Sequence, residues 1–393
     1  MEHFAVIQSL CRIGLAGNND KFRKQVERLR DRLTKGGDEK QAITLEKLLN
    51  SAEKEAELVP SKVELSKAKR KKEKLSSVTI PPHDRETSAA LADIIMEPTP
   101  QSGPPVLHGA IHNAVETMIN EWQKTDELVK LGLAPSTSCL IFGPPGTGKT
   151  LSAYHIAEKL GLPLVVARID GLISSFLGTT ARNLANIFEF ANRYDCVLLL
   201  DEFDAIAKLR DDPHEVGEIK RVVNTLLQNL DARAEHGLTI AITNHPELLD
   251  TAVWRRFETR LELPPPHISE RQTLVEQFLS PVEASDVFKK FMIWLSDGFS
   301  GADIKTMSDA VKRHVALSDG DNSPKVLWSA IEAFSTRNAG LDCGKRTNVL
   351  LLDRSVVANN LINSEDVKFT QKEIGELLQK DQGTISRWVS GSK

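Results

Sequence analysis

Eight consecutive residues, Gly143-Pro144-Pro145-Gly146-Thr147-Gly148-Lys149-Thr150, fill the pattern GxxxxGK[ST]. Glycines let a backbone curl until its N–H groups point inward, and a helix opening directly behind the loop adds the positive end of its dipole. The result is a cradle for phosphate. Within it Lys149 would reach the β- and γ-phosphates of a nucleotide and Thr150 would ligate Mg²⁺. ATP and Mg²⁺ are therefore the ligands implied, with Gly143 to Leu151 as the binding segment. A Gly/Pro loop with a chance lysine is the alternative. Against it stand the apolar run Leu140-Ile141-Phe142 just before the loop and the helical stretch from Leu151 just after, the two contexts such a loop requires.

Phosphate chemistry also needs carboxylates for the metal and for water. Val197-Leu198-Leu199-Leu200-Asp201-Glu202 offers them at the end of an apolar strand and looks like a Walker B segment. Asp201 would act on the metal through water, and Glu202 would polarise the attacking water as general base. Alone, such a strand end could equally be a surface turn; behind a complete phosphate loop the functional reading is the stronger one.

These loops must be held by a scaffold. Between about Leu107 and Phe334 short apolar runs, including Leu164 to Ala167 and Thr239 to Ile242, alternate with helical stretches. That alternation predicts an α/β domain, a parallel sheet with helices on its faces. From about Gly298 the pattern turns mostly helical, as a lid would. The divisions expected are an N-terminal helical domain over 1–75, a linker over 76–105 marked by its Pro-rich segments, an α/β subdomain over 106–267, a helical lid over 268–336 and a C-terminal helical segment over 345–393. The basic run Lys69-Arg70-Lys71-Lys72 reads as a solvated face.

Asp201-Glu202-Phe203-Asp204-Ala205-Ile206, Ile242-Thr243-Asn244, Trp254-Arg255-Arg256-Phe257 and Gly298-Phe299-Ser300-Gly301-Ala302-Asp303-Ile304 resemble the AAA family of AAA+ ATPases, nearest its katanin- and spastin-like branch. The resemblance covers roughly Leu107 to Leu317. It implies ATP hydrolysis in a homo-oligomeric ring, a hexamer. It also implies a sensor role for Asn244 in placing water, and a role for Arg255 and Arg256 as fingers reaching a neighbouring subunit's γ-phosphate. Gly301 and Ala302 would approach the nucleotide from the lid; the lack of an arginine there favours the katanin-like side over replication initiators. The adenine pocket is less readable, with Gly132 and Leu107-His108-Gly109 as candidates by position. Phe176-Leu177-Gly178 stands where related ATPases carry a pore loop that grips an extended chain, although Phe176 in the domain core is the plain alternative. Arg210 to Glu215 could be a second pore loop or an ordinary solvated loop.

The tail resembles a helix-turn-helix. Thr370 to Leu378 and Gln382 to Val389 would form its two helices, with Ile374, Leu378, Ile385 and Trp388 as a small core and Gln382, Thr384, Ser386 and Arg387 facing DNA. Gln379 stands where glycine is usual and Lys380 where an aliphatic residue is usual, and the surrounding charge is only weakly basic, so a protein-docking role stays open.

A chain of 393 residues predicts two or three domains. Its 40% hydrophobic and 26% charged content fits a soluble globular protein, and a net charge of −4 says little about partners. Four scattered cysteines without a CxxC pair predict reduced thiols, and the absence of a signal-like N-terminus or a long apolar run predicts a cytoplasmic protein without membrane contact. Three functions compete. A protein-remodelling ATPase, whose terminal modules recruit a client or partner enzyme such as a protease, is supported by the loop at Phe176. A DNA-associated ATPase is supported by the tail. A non-enzymatic nucleotide-gated protein is opposed by Lys149, Asp201, Glu202, Asn244 and the arginine pair.

Overall fold

The computed structural model describes residues 73–100, 102–169, 177–207, 216–233, 237–338 and 346–390, and eight residues between Val26 and Leu45. The chain divides into two units, Met1–Lys72 and Glu73–Lys393. In the first, Val26, Leu29 and Leu33 are helical at a spacing that puts them on one face, and Val26, Leu33 and Leu45 are buried.

The second unit is built on six strands: β1 (Ala92–Ile95), β2 (Ser138–Phe142), β3 (Leu164–Ala167), β4 (Val197–Leu200), β5 (Thr239–Thr243) and β6 (Thr259–Glu262), in the order β1-β3-β4-β5-β2-β6. All neighbours are parallel except β1, which runs antiparallel to β3 at the edge. The α/β expectation is met. The crossovers carry helices α1 (Gly109–Gln123), α2 (Thr125–Lys130), α3 (Lys149–Leu160), α4 (Leu177–Arg193), α5 (Asp204–Ala207), α6 (Val216–Arg233) and α7 (Thr251–Trp254). One apolar layer, with Leu184, Phe188, Val222 and Leu226, covers one face of the sheet; another, with Val115, Ile119, Ile156 and Ala157, covers the other. Central strands buried on both sides read as unbroken apolar runs, which is why β2 and β4 stand out in the sequence.

The segment expected as a linker, 76–105, folds onto this domain instead. Leu91 and Ala92 are buried in the sheet's core, and Asp84 accepts hydrogen bonds from the Glu86 N–H at 2.7 Å and from Asn183 of α4 at 3.0 Å. A four-residue strand between Pro-rich stretches has too short a pattern to show in sequence, and only the free edge of β3 makes it a strand.

Among the described residues, seven further helices form the second layer: α8 (Ile268–Leu279), α9 (Asp286–Leu295), α10 (Gly301–Leu317), α11 (Pro324–Arg337), α12 (Arg354–Ile362), α13 (Gln371–Leu378) and α14 (Gln382–Ser390). One continuous core runs through all of them, from Leu274 on α8 to Ile385 on α14. The C-terminal helices are thus packed into the lid. Lys290 of α9 bonds Glu373 of α13 at 2.7 Å, and Arg346 bonds both oxygens of Asp366 at 2.9 and 3.1 Å. Among the described residues no helix is long and apolar enough to cross a membrane.

Candidate active site

β2 lies between β5 and β6, and the glycine loop leaves its C-terminal end. Gly143 has φ +141°, and a β-carbon there would sit 2.3 Å from the Leu263 carbonyl oxygen, so only glycine lets the loop pass that backbone. Gly146, at φ +76°, faces the lid: its β-carbon would lie 2.6 Å from Ser300 Oγ and 2.9 Å from the Ala302 methyl. Lys149 opens α3 with its side chain turned back under the loop, where Nζ donates to the carbonyls of Gly143 at 2.9 Å and Pro144 at 2.6 Å. Burial holds its ammonium below the ordinary lysine range, with the Asp201 charge opposing.

Across the cleft, Thr150 Oγ1 donates to Asp201 Oδ2 at 3.0 Å, while Asp201 Oδ1 accepts the Glu202 N–H at 2.9 Å. Glu202 has φ +52°, a strained conformation for a residue with a side chain, worth about 1–3 kcal/mol. The Phe203 N–H, bonded to Ile242 O at 2.8 Å, helps to fix that turn, and the Glu202 side chain is left exposed in the cleft. Asn244 follows β5; its neighbour Thr243 is anchored on Asp204 at 2.7 Å.

Pro145 to Leu151, Asp201, Glu202, Asn244, Gly301 and Ala302 line one cleft of about 510 Å³. The start of α10 meets the loop directly, since the Ala302 N–H donates to the Gly146 carbonyl at 3.1 Å. A capping box between Ser300 and Asp303 fixes the start of α10 in that position. The residues present fit a nucleotide triphosphate with its metal: a buried ammonium crosses a glycine cradle, and a hydroxyl and a carboxylate 3.0 Å apart offer oxygen ligands of the kind a hard cation takes.

The cleft contains more than the sequence reading anticipated. Leu107 and His108 line it, but Gly109 and Gly132 do not. His267, Glu270, Leu274 and Phe278 line it from α8 and its start, and the His108 and His267 rings meet edge to face at 5.2 Å. Their recurrence every three or four residues was the available signal.

Arg255 and Arg256 are not among the lining residues. Arg255 is exposed and has no ion pair among the described residues. Arg256 is held by Asp231 of α6 through contacts of 2.8 and 3.2 Å. Phe176 and Arg210 to Glu215 lie outside the described residues; Leu177 and Gly178 open α4, their side chains not described. In the tail, Gln382, Thr384, Ser386 and Arg387 stand on α14, but Thr384 bonds Asp381 at 2.7 Å and Arg387 bonds Thr384 at 3.2 Å. Gln379 takes the left-handed turn at φ +55°, and a β-carbon on Gly375 would lie 2.7 Å from the Lys380 carbonyl oxygen.

Residues 139–265 match the family model described as ATPase family associated with various cellular activities (AAA), so this stretch carries an AAA ATPase domain. An uncharacterized AAA family ATPase of Sinorhizobium fredii is 44% identical over 43% of this chain and 52% of its own length. A putative 26S proteasome regulatory subunit homolog of Methanothermobacter marburgensis is 35% identical over 49% of this chain and 52% of its own. The 26S proteasome subunit RPT4 of Saccharomyces cerevisiae is 30% identical over 51% and 48%. The chain thus spans about half the length of these curated relatives. Among solved structures, the FIGL-1 AAA domain matches with a TM-score of 0.48 at 20% identity, over 77% of this chain and 91% of that one.

Proposed function

We propose that this chain is an ATP-hydrolysing AAA motor that works as a homo-hexameric ring and remodels a protein client. The observation that carries the reading is the convergence of Lys149, the Thr150–Asp201 pair, Glu202, Asn244 and the lid residues Gly301 and Ala302 on one cleft, while both arginines stand outside it. Lys149 and the loop amides hold the β- and γ-phosphates. Thr150 and Asp201 would hold Mg²⁺, which would supply positive charge to offset that of the phosphate oxygens. Glu202 polarises the attacking water and Asn244 orients it. Arg255, and Arg256 once released from Asp231, act on the next subunit's nucleotide. An arginine so placed contributes about 10³–10⁵ in rate.

A protein client is supported by the relatives above named as a putative 26S proteasome regulatory subunit homolog and as a 26S proteasome subunit, and by Phe176-Leu177-Gly178 as a pore loop. The terminal modules would recruit the client or a partner enzyme, a protease among the candidates. The experiment is to measure ATP turnover of the full chain alone, with an unfolded protein and with DNA. Stimulation by the unfolded protein is expected; stimulation by DNA alone would overturn this reading in favour of a DNA-associated ATPase.

A further inference from the structure

The turn that carries the arginine pair is bracketed by two aromatic side chains. Before it, Trp254 ends α7 and packs edge to face on Phe142, with ring centroids 5.3 Å apart and planes at 79°. Phe142 is the last residue of β2, and the glycine loop begins with the next residue. Behind the turn, Phe257 is buried and meets Phe203 edge to face at 5.6 Å and 89°. Phe203 directly follows Glu202. Each bracket therefore joins the arginine turn to a residue adjacent to the nucleotide cleft.

Other bonds fix the same unit. The Trp254 indole N–H donates to the Pro246 carbonyl at 3.3 Å, two residues beyond Asn244, and Arg260 lies over the indole ring at 5.9 Å. The Arg255 and Arg256 N–H groups bond back to Thr251 O at 3.2 Å and Val253 O at 3.0 Å. Ser138 Oγ donates to the Arg256 carbonyl at 2.8 Å, which ties the turn to the start of β2 as well. The Arg255 side chain, in contrast, is exposed. Its backbone is anchored while its guanidinium stays available to another molecule.

We propose that Trp254 is a positioning residue: through its contacts with Phe142 and Pro246 it holds Arg255 at the angle from which it reaches the neighbouring subunit. The inference rests on the reading that Arg255 acts across the ring. Edge-to-face pairs of this kind add a directional attraction to what burial alone supplies, which keeps a short turn in one orientation. A displacement of about 1 Å in a group that contacts the reacting centre can cost about 10²-fold in rate.

The test compares full-length Trp254→Ala, Trp254→Leu and Trp254→Phe with Arg255→Ala, each alone and mixed with Lys149→Ala subunits. The readouts are turnover and binding of a fluorescent ATP analogue. Trp254→Ala is expected to bind the analogue about as the parent does, to lose about tenfold or more in turnover, and to regain activity in the mixture, because Lys149→Ala subunits carry an intact Trp254 and Arg255. Trp254→Phe keeps an aromatic edge and should retain most turnover. If Trp254→Ala does not fold, Trp254→Leu, which conserves more of the volume, carries the same comparison.

Undiminished turnover in the folded variants would overturn the proposal, as would analogue binding that falls in step with turnover. Rescue of Arg255→Ala but not of the Trp254 variants would overturn it while leaving the ring reading intact. Failure to rescue Arg255→Ala itself, in assemblies shown to be mixed, would remove the ring reading and this inference with it.

Discussion

The Ala302 N–H donates to the Gly146 carbonyl across the cleft at 3.1 Å, so the first turn of the lid is hydrogen-bonded to the loop expected to hold phosphate. Lid position and loop conformation are thereby parts of one arrangement. Any atom inserted between them must displace one or the other.

Gly146→Ala inserts such an atom. Its β-carbon would lie 2.6 Å from Ser300 Oγ and 2.9 Å from the Ala302 methyl, at a φ of +76° that already disfavours a side chain. Gly161→Ala, at φ +64° with nothing within 4 Å, carries the backbone strain without the clash. Both should lose about 1–2 kcal/mol of stability from strain. Only Gly146→Ala should weaken binding of an ATP analogue, by about tenfold or more, which corresponds to at least about 1.4 kcal/mol. Titration of the two variants side by side decides it; equal affinities would show that the loop and lid tolerate separation.

The two arginines should behave differently because one is exposed and the other is paired. Arg255→Ala is expected to keep analogue binding and to lose about 10³-fold in turnover. Asp231→Ala releases Arg256 from its 2.8 Å contact with α6. For so exposed an ion pair the stability cost should stay below about 1 kcal/mol. Because Arg256 serves the ring only once released from Asp231, turnover of Asp231→Ala should rise; a fall would remove that role from Arg256. Turnover plotted against protein concentration separates an effect on assembly from one on chemistry.

The position of the glycine loop at the end of β2 was legible because its signal is local: eight consecutive residues behind an apolar run. That Asp201, Glu202 and Asn244 would meet at one cleft was legible for the same reason, since each follows the end of a buried strand. The pairing of Arg256 with Asp231 was not, since it joins a turn to a helix 25 residues away and no periodicity encodes it. Nor was β1, whose four residues become a strand only against the edge of β3. The left-handed turn at Gln379 is a further case. In sequence Gln379 stands where glycine is usual, yet it takes the left-handed conformation itself, and Gly375 lets the Lys380 carbonyl approach.

Acid should loosen the contacts by which Asp366 holds Arg346, itself paired with Asp297 behind α9, and Arg271 of α8. Burial alone would raise the pKa of Asp366, but hydrogen bonds from Arg346 and Ser364 outweigh it and bring the carboxyl down to about 2 from an ordinary 3.8. A depressed carboxylate contributes stability that is fully present above the unfolded-state value and lost as pH falls through the folded-state value. The window is therefore from about pH 4 down to about pH 2. Asp366→Asn should lower stability at neutral pH by on the order of 1–2 kcal/mol, allowing for solvent screening. Melting curves of parent and variant should converge toward pH 2; a constant difference across that range would remove Asp366 as the titrating group.

Whether the C-terminal helices form an appendage or part of the lid is open to a direct cut. Ile374, Leu378 and Ile385 are fully buried in the same core as Phe291, Trp328 and Phe334, and Val357 and Leu361 join them from α12. These five large apolar side chains, each worth about 1.5–3 kcal/mol when fully buried, lie in one core with the lid helices, so removing them opens that core. A chain ending at Arg337 should therefore lose the cooperative melting of its lid rather than simply lack a tail. Because α8 and α10 supply His267, Gly301 and Ala302 to the cleft, its affinity for an ATP analogue should fall as well. Gln382→Ala with Arg387→Ala, changed on the exposed side of α14, should alter stability by no more than about 0.5 kcal/mol and leave that affinity unchanged. Calorimetry and analogue titration on both proteins separate the cases: a truncated chain that melts and binds as the parent does would show that the shared core carries no weight.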